Sequence, residues 1–533
     1  MNKKLILSLS AAALLCNNLD AQSMLERFEA MEREMNALKQ EIAELKSKPV
    51  SLTKNLDDSD EEDDSDEKID LASEKDDDED EGKDAENEGD EAEDADEFDI
   101  EEEIADIQEN LSELNKATSG SHLKFGVDYR FAMENLQYKM ADGSKAKNDA
   151  LLTNRLWINL GWKANSNLSF KGQLAYNKTF GQRSAASTPA NSSLEGFDWI
   201  SNENAYGDSL RVRSAYFYYH NRTFLGTDIP WTFSIGRRPS TGGKLINLRD
   251  DDTATSPLAH AINVEFDGLS SKFSFDEWVK GMYVKLCAGR GQSNAAPRFN
   301  NTPYSQDESA NPSIDMLGLI FSPYDDKQYS VTTQYYYANN LIDLINPNDQ
   351  TGGFNTVGGI HSASANFTAK GIGNGWSDFL DESTFFVSAA MSKTDPKAGD
   401  SMLGSTKSET GTSYWIGTQF PSLLSEDGKM GFEYNHGSKY WRSITYGEDT
   451  NIGSKIAARG NAYEAYFTEY LVDEILSLQL RYTYIDYDYS GSNGFFGSTT
   501  GTPMTMDAAR TAGQGGAVVD KAQDIRLYLR YKY

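Results

Sequence analysis

The 533-residue chain is poor in cysteine, proline and histidine, with two, 13 and five of them. Two cysteines make at most one bridge, so no disulfide framework holds the fold. The histidines are His122, His220, His260, His361 and His436. None lies at metal-ligand spacing or beside a G-x-S-x-G elbow. No catalytic, metal-binding or cofactor-binding residue is therefore assigned, no cofactor is expected, and the chain is expected not to be an enzyme. Gly371-Ile372-Gly373-Asn374-Gly375 lacks the strand-to-helix setting of a phosphate loop and reads as a turn. Basic excess is missing too: the net charge is −33, which excludes the electrostatic footprint of a nucleic-acid partner. After the N-terminus no run approaches the roughly 18 apolar residues of a membrane helix. That absence leaves membrane barrels open, because their strands alternate in polarity.

The negative charge has an address. Residues 57–103 hold 30 acids and three lysines, a net of −27, and residues 1–56 sum to +1. From −33 that leaves −7 for the remaining 430 residues.

Residues 1–21 read as a secretory signal peptide. Met1-Asn2-Lys3-Lys4 is the basic start, Leu5 to Leu15 the apolar stretch, and Leu19-Asp20-Ala21 the cleavage site. Leu15 ahead of Cys16 is not the small residue that a lipoprotein signal requires. In residues 22–48, Met24, Phe28, Met31, Met35, Leu38, Ile42 and Leu45 recur at alternating steps of four and three. This is a coiled-coil seam, and so short a helix gains most by self-association. Residues 49–97 are nearly all Asp, Glu, Ser, Lys, Gly and Asn and are expected to be a disordered acidic spacer. Divalent cations would collect on it diffusely, since no spaced ligand loop is present. Ile100, Ile104, Ile107, Leu111 and Leu114 mark a second short coiled-coil helix over 98–118.

From 119 to 533 the period changes to two. Leu123, Phe125, Val127, Tyr129, Phe131 and Met133 share one face, and Lys124, Gly126, Asp128 and Arg130 the other. Such alternation marks strands with one apolar and one polar side. Sixteen strands are predicted: 123–133, 152–164, 168–178, 209–219, 231–237, 260–266, 281–289, 313–321, 328–338, 355–369, 383–392, 412–420, 429–437, 460–470, 476–488 and 523–533. Their connections mostly alternate long and short. That asymmetry, with 61 aromatic residues (Trp, Tyr and Phe), fits an antiparallel transmembrane barrel with aromatic girdles better than a soluble sandwich. The fold class expected is thus an all-β transmembrane barrel of about 16 antiparallel strands, carried behind an α-helical coiled-coil and acidic arm. Ile525, Leu527, Leu529, Tyr531 and Tyr533 end the chain on an aromatic of the apolar face, the pattern that outer-membrane barrels present to their assembly machinery.

If the apolar parity faces lipid, the inward bases are Lys124, Arg130, Arg155, Lys163, Lys171, Arg211, Arg213, Lys285, Arg481, Arg526 and Arg530. The inward acids are fewer: Asp128, Glu265, Asp315, Glu433 and Glu464. A charged interior suits water better than a packed core.

Ser234-Ile235-Gly236-Arg237-Arg238-Pro239-Ser240-Thr241-Gly242-Gly243, then Ser256-Pro257-Leu258-Ala259-His260 and Phe266-Asp267-Gly268, resemble a family of uncharacterised outer-membrane proteins of epsilon-proteobacteria and some delta-proteobacteria. Members look like porins with a signal peptide and an N-terminal coiled coil. The resemblance runs from about residue 120 to the end and includes the helical start; the acidic insert departs from it. It implies a barrel and leaves the cargo open. In porins the third long loop often folds inward. By that resemblance Arg237, Arg238, Lys244 and Arg249, beside Asp250, Asp251 and Asp252, form the candidate constriction, with opposed clusters setting up a transverse field.

The function expected is passive diffusion of small hydrophilic solutes or ions across the bacterial outer membrane, with a weak preference for anions. The chain would be a homotrimer joined through its coiled coil, with the arm in the periplasm. The alternative is a structural anchor whose arm binds cell wall or an envelope partner.

Overall fold

The computed structural model describes residues 123–181, 208–292, 295–296, 305–306, 313–346, 349–445 and 450–533. The signal peptide, both helical segments and the acidic spacer lie outside the described residues. Sixteen strands form the wall: β1 (Leu123–Met140), β2 (Lys145–Lys163), β3 (Leu168–Thr179), β4 (Arg211–Asn221), β5 (Trp231–Arg238), β6 (Phe266–Ser274), β7 (Tyr283–Gln292), β8 (Ile314–Asp325), β9 (Tyr329–Asn346), β10 (Asp349–Lys370), β11 (Thr384–Pro396), β12 (Thr410–Pro421), β13 (Lys429–Gly437), β14 (Gly460–Val472), β15 (Leu476–Tyr487) and β16 (Val519–Lys532). Each pairs antiparallel with its neighbours in chain order, and β16 closes on β1, giving one closed barrel. Closure removes the unpaired edges that an open sheet would expose.

The alternation read from the sequence becomes the two sides of this wall. On β1, Asp128, Arg130, Ala132 and Glu134 are buried inside, while Tyr129 stands exposed outside. Outward-facing Trp162, Phe170, Phe217, Leu286 and Leu317 are also exposed. A sheet that hides its charges and shows its apolar side chains is built for a nonpolar surrounding.

Two expected long loops are extended hairpins instead. β1 and β2 continue to a turn at 141–144, and β9 and β10 continue past Leu344. Their added residues alternate too weakly for the period to be seen, as in Glu134-Asn135-Leu136-Gln137. The sixth strand is a correction. It was expected at 260–266, but β6 is Phe266–Ser274. Ala259, Ala261, Ile262 and Val264 are buried inside the barrel, where a continuous apolar run packs on all sides. β6 itself hides its period, because Ser271 shares the outward face with Leu269 and Phe273.

The interior is partly filled by the described parts of three connections: 239–265, 438–445 with 450–459, and 488–518. Ile262, Val264, Leu341, Ile342, Ile444, Phe495 and Phe496 form one buried cluster. Leu245, Ile246, Leu248, Phe386, Trp415 and Ile456 form another. Both unite these connections with the far wall.

Candidate functional site

The connection 239–265 leaves β5 and crosses the lumen. At its tip a short 3-10 turn spans Ile246–Asp250. Leu245 and Asp251 bracket it with φ of 87° and 51°, left-handed values that non-glycine residues adopt only when contacts impose them. Those contacts come from strands far away in sequence. Arg249 Nη1 lies 3.3 Å from Glu464 Oε1 of β14. Gln479 Nε2 donates to the Arg249 carbonyl at 2.7 Å, and Gln419 Nε2 to the Leu248 carbonyl at 2.6 Å. Tyr528 donates its hydroxyl to Asp250 at 2.7 Å. Asp251 meets Lys429 at 2.5 Å. Asp252 meets Arg530 at 2.9 Å and Lys532 at 2.6 Å.

The return leg is held by neutral groups. His260 bonds through Nδ1 to Ser388 at 2.8 Å and through Nε2 to Ser413 at 2.9 Å. Full burial pushes its imidazole down to about 3, because an enclosed site disfavours the charged form. Leu258 N donates to Gln334 Oε1 at 2.8 Å. On the outgoing leg, Lys244 Nζ donates to Ser330 at 2.6 Å and Thr332 at 3.3 Å.

This crossing leaves a cavity of about 570 Å³ against β1–β4. Its wall includes Lys124, Arg155, Trp157, Asn159, Lys171, Gln173 and Arg213, faced by Thr241, Asp250 and Asp252 of the connection. The guanidiniums of Arg155 and Arg213 both lie over the Trp157 indole, 3.5 and 3.9 Å from a ring centroid. That arrangement holds cationic groups at a fixed place on the wall. Arg155 also reaches Asp128 at 3.2 Å, which Arg530 approaches at 2.6 Å. Arg213 donates to Gln173 at 2.8 Å and Thr241 at 2.9 Å.

The expected lumen residues fall into distinct surroundings. Arg130 is buried on the inner face, 5.3 Å from the Tyr528 ring centroid. Arg211 Nε donates to Ser209. Lys285 bonds Ser256. Arg481 is buried on β15, and Arg526 meets Glu134 at 3.0 Å. Lys124, Lys163 and Lys171 are exposed on the inner face of β1–β3. Glu433 and Glu464 share Lys455 from the connection 438–459, with Glu433 at 2.6 Å. Glu265 lies inside on the crossing connection and accepts a hydrogen bond from Thr241 at 2.6 Å.

Two expected placements change. Asp315 was read as inward, but on β8 it shares the outward parity of Leu317 and Leu319 and pairs with Arg290 at 2.6 Å. Ile314 and Ile320 carry the buried parity, and the row of Asp315 is the one that shows Leu317, Leu319 and Phe321 outside. Arg237 does not stand with the other members of its cluster. It shares the parity of Ile235, and its partner is Asp267 at 3.4 Å. Arg238, one residue on, points inward, 5.8 Å from the Tyr216 ring centroid. Asp251 and Asp252 face bases of the wall, whereas Asp250 lies 3.6 Å from Arg249 Nε within the connection itself.

Three residues of this region were missed in the sequence. Glu134 continues the inward parity of β1 and is found by extending that strand one step. Trp157 shares the parity of Arg155, but an apolar residue draws no notice in a search for inward charges. Lys455 precedes the apolar run Ile456-Ala457-Ala458 in a long connection, and no local signal marks it as buried.

In a search of solved structures, OprB of Pseudomonas putida, solved at high pH, aligns with a TM-score of 0.45 and 12% identity over 79% of this chain and 97% of that one. An anion-selective porin from Comamonas acidovorans aligns at 0.43 and 9% identity over 77% and 100%. The in-vitro folded trimer form of OmpT from Vibrio cholerae aligns at 0.39 and 11% identity over 76% and 99%. No curated protein matches the sequence. Residues 145–533, most of the chain and nearly all of the barrel, match the model of one family, and the chain therefore belongs to that family, described as "Protein of unknown function (DUF3373)".

Proposed function

We propose that the protein is a channel of the porin type in the bacterial outer membrane, through which small hydrophilic solutes diffuse passively. The observation that carries this reading is the connection 239–265, bolted across a closed barrel so that a cavity with charged and amide side chains in its wall stays open along β1–β4. Arg238, Lys244 and Arg249, with Asp250, Asp251 and Asp252, are then parts of the constriction.

The short-turn end of the barrel faces the periplasm in this reading, where β1 begins and the coiled-coil arm emerges. Self-association through that arm makes a homotrimer. Residues 1–21 direct export, Tyr533 serves recognition by the barrel assembly machinery, and the acidic spacer gathers divalent cations diffusely or reaches an envelope partner. The inward bases of the lumen give a weak preference for anions, since a narrow low-dielectric channel concentrates the field of fixed charge.

The second reading is an outer-membrane anchor with a plugged barrel. It is favoured by the filled half of the lumen, where Trp441, Arg442, Lys455 and Arg459 are completely enclosed. Purified protein in a planar lipid bilayer separates the two. A channel gives stepwise currents, and in a salt gradient its reversal potential has the sign of anion selectivity. An anchor stays silent.

A further inference from the structure

We infer that Lys124 and Lys171, on either side of Gly161, form a binding site in the lumen for a small multivalent oxyanion such as a phosphate or a dicarboxylate. This deepens the channel reading and rests on it.

The site is built by strand register. Lys124 of β1 is paired with Gly161 of β2, and Gly161 with Lys171 of β3. The two lysines therefore share one row of the inner face with a single strand between them. Their Cα atoms stand about 10 Å apart, two strand spacings. A lysine side chain is long enough to lean over half that gap, so both ammoniums reach a group held above β2. Gly161 keeps the place open: a Cβ added there meets nothing within 4 Å. All three residues line the cavity beside the crossing connection.

Lys171 Nζ lies 6.0 Å from the Tyr218 ring centroid, a contact that an anion would draw it from. Neither lysine has an ion pair among the described residues, and both are exposed to the lumen. The nearby carboxylates are already engaged. Asp128 is held between Arg155 and Arg530, Asp252 between Arg530 and Lys532, and Glu265 by Thr241 and Ser240. One row further in, Asn159 and Gln173 are linked by an amide hydrogen bond of 2.8 Å, and Gln173 in turn accepts from Arg213. An anion over Gly161 thus meets two uncompensated positive charges on a polar floor.

The residue type sets the ligand class. Arginine forks select a planar partner bidentately, whereas lysine ammoniums are strongly hydrated point charges. A pair of them favours high charge in a compact group over a particular shape. Such binding is weak and exchanges quickly, which a conducting site requires, since solutes must leave as readily as they enter.

The test uses the full chain and inorganic pyrophosphate as probe. Binding to detergent-solubilised protein is read by calorimetry, and block of chloride current by bilayer recording. The native protein is expected to bind at low salt and to show block. Lys124→Gln with Lys171→Gln is expected to weaken both about tenfold. Gly161→Leu, which fills the gap and keeps both charges, is expected to do the same. Lys407→Gln, exposed on the connection that follows β11, is expected to leave both unchanged. Unaltered pyrophosphate binding in the double variant and in Gly161→Leu would overturn the site. Binding that depends on these residues in a protein that carries no current would retain the site and sink the channel.

Discussion

Arg249 and Glu464 are separated by 215 residues, yet they meet at 3.3 Å with both side chains almost completely buried. The tip of an inward-folded connection is thereby tied to the wall opposite its origin. Glu464 keeps a second cationic partner in Lys455, so removing the arginine does not strand a bare charge. Arg249→Met is expected to cost about 1.5–3 kcal/mol, the worth of hydrogen bonds to a charged group, and to loosen the loop while the barrel stays folded. In bilayer recordings it should raise single-channel conductance and current noise. Unchanged conductance with unchanged noise would show that the loop tip does not limit the pore.

The return leg makes the assembly sensitive to acid through His260. Its imidazole is held at about 3 inside the barrel and titrates near 6.5 when unfolded. Between those values the unfolded chain binds the extra proton, so stability falls as pH falls below about 6.5. The slope from this one group approaches about 1.4 kcal/mol per pH unit. The temperature at which the barrel loses its heat-modifiable mobility should therefore drop between pH 6.5 and 5. His260→Asn is expected to flatten that segment. An equal drop in the variant would assign the acid sensitivity elsewhere.

The last residue closes the barrel. Tyr533 N donates to the Val127 carbonyl, and Val127 N donates to the Tyr533 carbonyl, each at 2.8 Å. Deleting Tyr533 removes both bonds and the terminal aromatic. Tyr533→Asp keeps the bonds and removes only the aromatic. Both are expected to lower the amount of folded barrel in the outer membrane, and Tyr533→Phe to preserve it. Normal amounts of heat-modifiable Tyr533→Asp would count against the aromatic terminus as an assembly signal.

Assembly between copies is tested at the other end of the chain. The seam from Met24 to Leu45 places Met35 and Ile42 at positions of the apolar stripe. Two aspartates there put charge where knobs should pack. Met35→Asp with Ile42→Asp is expected to weaken oligomers in mild detergent without changing barrel content by circular dichroism. A native protein that sediments as a monomer would remove the premise.

How much of this was legible in advance depended on whether information was local. The period of two in Leu123 to Met133, and again in Ile525 to Tyr533, is a property of neighbouring residues, so strand type, inner and outer parity and the number of strands followed from it. The register shift at β6 was hidden because Ser271 breaks the outward apolar row. Asp315 was misplaced because both rows of its strand are apolar, Ile314, Met316 and Ile320 on one and Leu317, Leu319 and Phe321 on the other, so its charge was the only local guide to its facing. Glu134 was lost because β1 runs on past Met133, where alternation fades.

The sequence by itself determined a wall with one polar and one apolar side. That choice is made strand by strand from side-chain chemistry and needs no distant partner. Only the tertiary structure decided what fills the wall. Whether 239–265 lies outside or crosses the lumen depends on Arg249 finding Glu464, Asp252 finding Arg530, and His260 finding Ser388 and Ser413. Those contacts join residues more than a hundred positions apart. The ordering entropy of so long a connection is offset only when many such contacts form together. No short window of the chain carries that sum, so the path through the barrel is a property of the closed fold.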